Sequence, residues 1–251
     1  MKKVSILFIL LCCVVNLNAQ RKKRNFIQHE FGLFGGASYY IGDINPRKHF
    51  IYSQPAVGIL YRYSTSYRFA HRIGFNFGTV YANDKNSGEA NQLERNLSFR
   101  SRVYDLHLIS EFNFVEYRIG HEKHYMSLFV FGGIGGYYFN PQSNAGGNGY
   151  ENLEEKRNEG VSYSKIQLSL PFGVGFKWNV TDKMGLAVEW GPRKLFTDYL
   201  DDVSSRYLLS GQNSNLAYMR GNPRNKDWYF FYGFSMSFKL RKSRECHTTG
   251  M

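Results

Sequence analysis

Apolar and polar positions alternate along most of the chain. From Trp228 to Leu240 one face carries Trp228, Phe230, Tyr232, Phe234, Met236, Phe238 and Leu240, and the other carries Tyr229, Phe231, Gly233, Ser235, Ser237 and Lys239. A period of two predicts a strand with unlike faces. The even residues from Ile166 to Trp178 repeat the pattern against Lys165, Gln167, Ser169, Pro171, Gly173, Gly175 and Lys177. Met184, Leu186, Val188 and Trp190 do so against Lys183, Gly185, Ala187, Glu189 and Gly191. Shorter runs set Val57, Ile59, Tyr61 and Tyr63 against Arg62 and Ser64, and Ile73, Phe75, Phe77 and Tyr81 against Arg72, Gly74, Asn76 and Gly78. Tyr104, Leu106, Leu108, Phe112 and Phe114 oppose Asp105, His107 and Glu111. Residues 28–39 and 125–139 complete a set of eight strands, although their glycines blur the two faces.

A soluble sandwich also alternates, so three further features carry the fold class. The apolar faces reach the ~9–11 residues that a tilted strand needs to cross a bilayer. Trp178, Trp190, Trp228, Tyr63 and Tyr81 fall near predicted strand ends, where amphipathic rings favour the membrane interface. The connections alternate in length: 40–54, 83–101, 140–162 and 193–227 are long and polar, 66–69 and 179–182 are short, and 115–124 is intermediate. The expectation is an all-β, eight-stranded antiparallel transmembrane β-barrel of the outer membrane. An even strand number places both termini on the short-turn side, the periplasm.

Composition agrees with this class. Aromatic residues make 17 % of the 251, charged residues 21 %, and there are 25 glycines with a negative mean hydropathy. No apolar run reaches the roughly 18 residues of a membrane-spanning helix. Residues 1–19 read as a secretory signal: Lys2 and Lys3, an apolar stretch from Val4 to Val15, and Ala19 before Gln20. Residues 20–27 then form a basic periplasmic segment, 28–240 the barrel, and 241–251 a basic periplasmic tail. The formal charge of +12 is concentrated at the two ends, in Arg21-Lys22-Lys23-Arg24 and in Arg241, Lys242 and Arg244 before Cys246. Once Cys12 and Cys13 leave with the leader, Cys246 has no internal partner. Anionic headgroups or an acidic periplasmic partner suit these ends better than nucleic acid, which an exported barrel does not meet.

Eight strands enclose a lumen that side chains fill. The inward set includes Arg62, Arg72, Lys165, Lys177 and Lys239 with Asp105, Glu111 and Glu189, which predicts an ion-paired plug in place of a pore. Candidate chemistry is thin. Asp198, Asp201 and Asp202 lack the turn glycine and ligand spacing of a calcium loop and suit a helix cap. His121 and His124 share a turn beside Glu122 without a convincing zinc spacing. His107 near Asp105 and Glu111 suits a satisfied lumen histidine, with acid–base work as the rival reading. Gly132-Gly133-Ile134-Gly135-Gly136 lies in a strand, where it bends the chain or admits bulky neighbours. No cofactor, metal or catalytic residue is expected.

Two stretches carry a resemblance. Tyr39-Tyr40-Ile41-Gly42-Asp43-Ile44-Asn45-Pro46 follows the first predicted strand. Gly191-Pro192-Arg193-Lys194-Leu195-Phe196-Thr197-Asp198-Tyr199-Leu200-Asp201-Asp202-Val203-Ser204 follows the seventh. With the leader ending Asn18-Ala19-Gln20, they resemble the PorG-like outer-membrane proteins of the Bacteroidetes type IX secretion system. The resemblance implies a non-enzymatic outer-membrane anchor for a secretion assembly, with a periplasmic ring of PorK- and PorN-like proteins as partner. The alternatives are a small barrel enzyme acting on lipid or peptide, and a small barrel for adhesion or solute passage.

Overall fold

The computed structural model describes residues 27–86, 98–144, 151–152, 164–197, 200 and 226–240. Eight long strands follow one another: β1 (Gln28–Ile41), β2 (Gln54–Ser64), β3 (Phe69–Asn83), β4 (Ser98–Asn113), β5 (Met126–Asn144), β7 (Ile166–Asn179), β8 (Met184–Leu195) and β9 (Trp228–Lys239). A two-residue strand, β6 (Glu151–Asn152), lengthens the sheet beside the end of β5. Each long strand pairs antiparallel with the next, and β1 pairs with β9 from Glu30↔Lys239 to Ile41↔Trp228, so the sheet closes into an eight-stranded barrel. Closure leaves no edge along the wall, as lipid requires of backbone donors and acceptors.

The wall sorts the two faces as the alternation predicts. Leu106, Leu108, Leu128, Ile166, Leu168, Phe172, Phe234 and Phe238 are exposed on the outside, while Arg62, Arg72, Asp105, His107, Glu111, Lys177 and Glu189 are buried inside. A continuous apolar exterior over a polar interior is the architecture of a membrane-spanning barrel.

The strands run further toward the long-loop side than the sequence suggests. β4 starts at Ser98 and β5 reaches Asn144, each inside a stretch that reads as loop. The outward residues there turn polar, with Thr79, Arg100, Arg102, Asn140 and Gln142 on three adjacent strands. Backbone pairing therefore outlasts the apolar stripe and carries the wall beyond the bilayer band. β8 likewise runs to Leu195, so Gly191, Pro192 and Arg193 belong to the wall and not to a loop, and Tyr39, Tyr40 and Ile41 end β1. Trp190 lies within β8 and not near its end. In the glycine run of β5, a methyl at Gly133 would fall 2.1 Å from the Leu108 carbonyl oxygen, so glycine there permits close backbone approach.

Candidate functional site

The lumen has a charged level and an apolar level, with a smaller polar group between them. Toward the short turns, three carboxylates meet three cations from six strands. Glu30 holds Arg62 at 2.7 Å. Glu111 lies 2.9 Å from Arg62 Nε and 3.1 Å from Arg72 Nε and also accepts from Lys177, and Glu189 holds Arg72 at 2.6 Å. Lys177 donates to Asn113 as well and sits 4.2 Å from the centre of the Phe129 ring. Charges this deep persist only because each has opposite partners within contact. Lys165 and Lys239, expected in the lumen, sit at the two mouths: Lys165 Nζ donates to Asn140, and Lys239 Nζ reaches the Ile119 carbonyl.

Above this network Asp105 accepts from His107 Nδ1 and from the Tyr229 hydroxyl at 2.6 Å, with Arg193 Nε 3.6 Å away. The Asp–His pair resembles part of a catalytic relay, yet a methyl at Gly74 would lie 2.5 Å from His107 Nε2. The second imidazole nitrogen lies against the wall at Gly74, and the whole group is buried. Its members satisfy one another's charges and hydrogen bonds in a buried interior. Higher still, Phe34, Tyr40, Ile44, Val80, Phe99, Val103, Tyr137, Phe139, Leu195, Leu200, Tyr229 and Phe231 form an apolar core inside the long-loop end.

The two stretches that carry the family resemblance converge at this end. The Tyr40 hydroxyl donates to Asp227 Oδ1 at 2.8 Å, and the Leu200 amide donates to Asp227 Oδ2 at 3.0 Å. The Leu195 amide reaches the Asp227 carbonyl, so a buried aspartate ties the end of β1 to the connection between β8 and β9. Gly42 is required by that contact, since a methyl there would fall 2.0 Å from the Tyr40 hydroxyl and 2.2 Å from Asp227 Oδ1. Asn45 is buried and closes the following turn, donating to the carbonyls of Tyr40 and Lys48 and accepting from the Lys48 amide. Asp43 is half-buried, Pro46 exposed and Thr197 half-buried. Arg193 points into the lumen, donates to the Gly191 carbonyl at 2.6 Å and lies over the Phe231 ring. Asp198, Tyr199, Asp201 and Asp202 lie outside the described residues, as do Arg241, Lys242, Arg244 and Cys246.

The opposite mouth is closed by the segment between β4 and β5. Residues 114–125 fold across the opening, with Tyr117 and Ile119 buried beneath the wall. The Tyr117 amide donates to the Tyr67 carbonyl, and Asn179 Nδ2 donates to the Arg118 carbonyl at 2.8 Å. This explains the intermediate length of the connection: it is a strap. Burial and the nearby Glu30 carboxylate push the Tyr117 phenol above its ordinary range. The His121 and His124 rings lie 4.5 Å apart on the strap, tilted to one another, with His124 Nε2 3.5 Å from Glu116; partial burial and His124 hold His121 below the usual imidazole range. Among the described residues no three His, Cys, Asp or Glu side chains form a metal site. Beside the strap, the Leu240 amide donates to the His29 carbonyl, so the first and last strands leave the wall side by side.

Sequence pattern does not single out Glu30, Tyr117, Tyr229 and Asp227 as site residues, and it places Arg193 in a loop. Glu30 stands two residues before Gly32 in a strand whose glycines hide the alternation. A carboxylate at the inward phase counted back from Phe34 is the signal that points to it.

A family model described as a domain of unknown function, DUF6089, matches residues 2–249. The chain is a member of the DUF6089 family. No curated protein matches this DUF6089 chain. Among solved structures it is similar to Neisserial surface protein A, at 8% identity and TM-score 0.44, over 86% of this chain and 100% of that one. It is also similar to Ail, the attachment invasion locus protein of Yersinia pestis, solved with the heparin analogue sucrose octasulfate, at 12% identity and TM-score 0.42, over 84% and 99%. A major outer membrane protein from Thermus thermophilus matches at 13% identity and TM-score 0.44, over 84% and 99%.

Proposed function

We propose that this DUF6089 barrel is a non-enzymatic outer-membrane anchor for a protein secretion assembly, PorG-like and of the type IX kind, with both termini in the periplasm and a periplasmic ring of PorK- and PorN-like proteins as its partner. The observation that supports the reading best is the pairing of β1 with β9, from which both ends depart at the strapped mouth. The described ends of β1 and β9 lie side by side there, and the sequence on either side of them, 20–27 and 241–251, is basic, which suits an acidic partner. The filled, ion-paired lumen suits an anchor better than a conduit, and the enclosed His107 suits a structural role better than turnover.

The test is crosslinking from each terminus in intact cells, with the captured partner identified. Capture of ring components from both ends supports the anchor. Capture of neither, with secretion intact after deletion of residues 241–251, rejects it. An epitope after Thr249 should resist labelling in intact cells and one at Asn148 should label; the reverse would invert the topology. His107→Ala should leave secretion unchanged. On non-reducing gels an adduct absent from Cys246→Ser would identify a disulfide-linked partner at the tail.

A further inference from the structure

On the outer wall, two rows of outward side chains bound a groove of about 880 Å³ that crosses β5, β7, β8 and β9. Leu128, Phe176, Val188 and Phe234 form one row, and Val130, Val174, Trp190 and Tyr232 the other, with the wall backbone at Gly36, Gly175 and Gly233 as the floor between them. The lining is almost wholly apolar.

The groove ends beneath the loop between β1 and β2, which folds back onto the outside of the wall. Asn45 holds its turn, His49 sits within 3.1 Å of the Tyr39 hydroxyl, and Trp190 Nε1 donates to that same hydroxyl at 2.9 Å. Phe50 caps the groove with its ring 5.1 Å from both Tyr39 and Tyr232, and its φ of 62° is one that a bulky residue adopts only under restraint from its surroundings. Phe50 and Ile51 are exposed at the level of the apolar wall. Cations flank this cap. Arg47, Lys48 and His49 are exposed on the loop, and exposed Lys194 lies 4.8 Å over the Trp228 ring, which neighbours Phe230 and through it His49. The loop's carboxylate is the half-buried Asp43; Asp227 is enclosed in the core.

An apolar channel in the bilayer band, topped by aromatic rings and then by cations, matches an amphiphile with a hydrocarbon chain and an anionic head. We propose that this face binds one phosphate-bearing membrane lipid, an acyl chain lying between the two rows and the phosphate at Arg47 and Lys194. A second copy of the barrel is the weaker occupant, because it would bring like charges together at the same rim. The proposal stands apart from the secretion reading and rests on the membrane-spanning wall alone.

Native mass spectrometry of the full barrel in detergent tests it, with phosphatidylglycerol and phosphatidylcholine of identical acyl chains as probes. The expected result is one phosphatidylglycerol retained in preference to phosphatidylcholine. Retention should fall roughly thirtyfold in the R47Q/K194Q double variant, since each of the two cations near a membrane surface contributes on the order of 1 kcal/mol. It should also fall in Val188→Trp, which fills the groove and leaves the cations in place. Heat-modifiable gel migration checks that each variant is folded. Equal retention of the two lipids, unchanged retention in both variants, displacement by inorganic phosphate, or a lipid-free dimer would each overturn the proposal.

Discussion

The two levels of the lumen are filled by different means. Near the short turns the space is filled by Glu30, Arg62, Arg72, Glu111, Lys177 and Glu189, each dependent on its partners. Near the long loops it is filled by Phe99, Val103, Tyr137, Phe139 and Phe231, which depend on volume. A charged filling tolerates no missing member, because removal of one partner strands the others in a low dielectric. An apolar filling tolerates exchange at similar volume. The lower level thus specifies one arrangement, and the upper level supplies bulk against which loops and strand ends pack.

Removing the centre of the charged level is the sharpest way to break this contrast. Glu111→Gln leaves Arg62, Arg72 and Lys177 short of their shared carboxylate and should cost about 3–5 kcal/mol in reversible folding into lipid vesicles. Phe99→Leu in the upper level should cost less than about 1.5 kcal/mol in the same measurement. Equal losses would mean that the two levels do not differ as described. The outer wall comes next: Leu170→Arg or Phe234→Arg should cost about 2–4 kcal/mol if placed near the bilayer midplane, read from denaturant midpoints. A near-neutral result would remove that residue from the lipid face.

Asp227→Asn weakens the tie between the Tyr40 hydroxyl and the Leu200 amide and should cost about 1–3 kcal/mol. It should also raise protease sensitivity of the long-loop end while leaving the strapped mouth protected. The smallest effect belongs to the pair His124–Glu116, whose side chains are 28% and 41% exposed. Glu116→Gln should change stability by less than about 1 kcal/mol, and less still at high salt.

Much of the wall is legible in the sequence because lipid outside and packed charge inside force unlike faces, and unlike faces force a period of two. Arg72, Glu111, Lys177 and Glu189 are read correctly for that reason. Glu30 is obscured by Gly32, Gly35 and Gly36, which supply no contrast. Arg193 is obscured by Pro192, which reads as the start of a loop although it sits in β8. The far ends of β4 and β5 escape because the faces exchange character there: Phe99, Val103 and Phe139 point inward while Arg100, Arg102, Asn140 and Gln142 point outward, the reverse of the apolar-out pattern. The meeting of Tyr40, Asp227 and Leu200 is invisible to any local pattern, since those residues are distant in the chain. Tyr117 escapes for a related reason: a turn that folds back into its own barrel has the composition of any other turn.

The pairing of β1 with β9 also governs when the molecule becomes complete. Those strands stand roughly two hundred residues apart in the chain, the kind of distant contact that slows folding. Until the last twelve-residue strand arrives, the sheet is an open ribbon with two hydrogen-bonding borders, β1 and β8, and an apolar outer surface. The chain therefore cannot bury its own seam until β9 is in place, and must be kept from pairing with its copies until then. Truncation within Trp228–Lys239 should accordingly yield insoluble ribbon, and no smaller barrel.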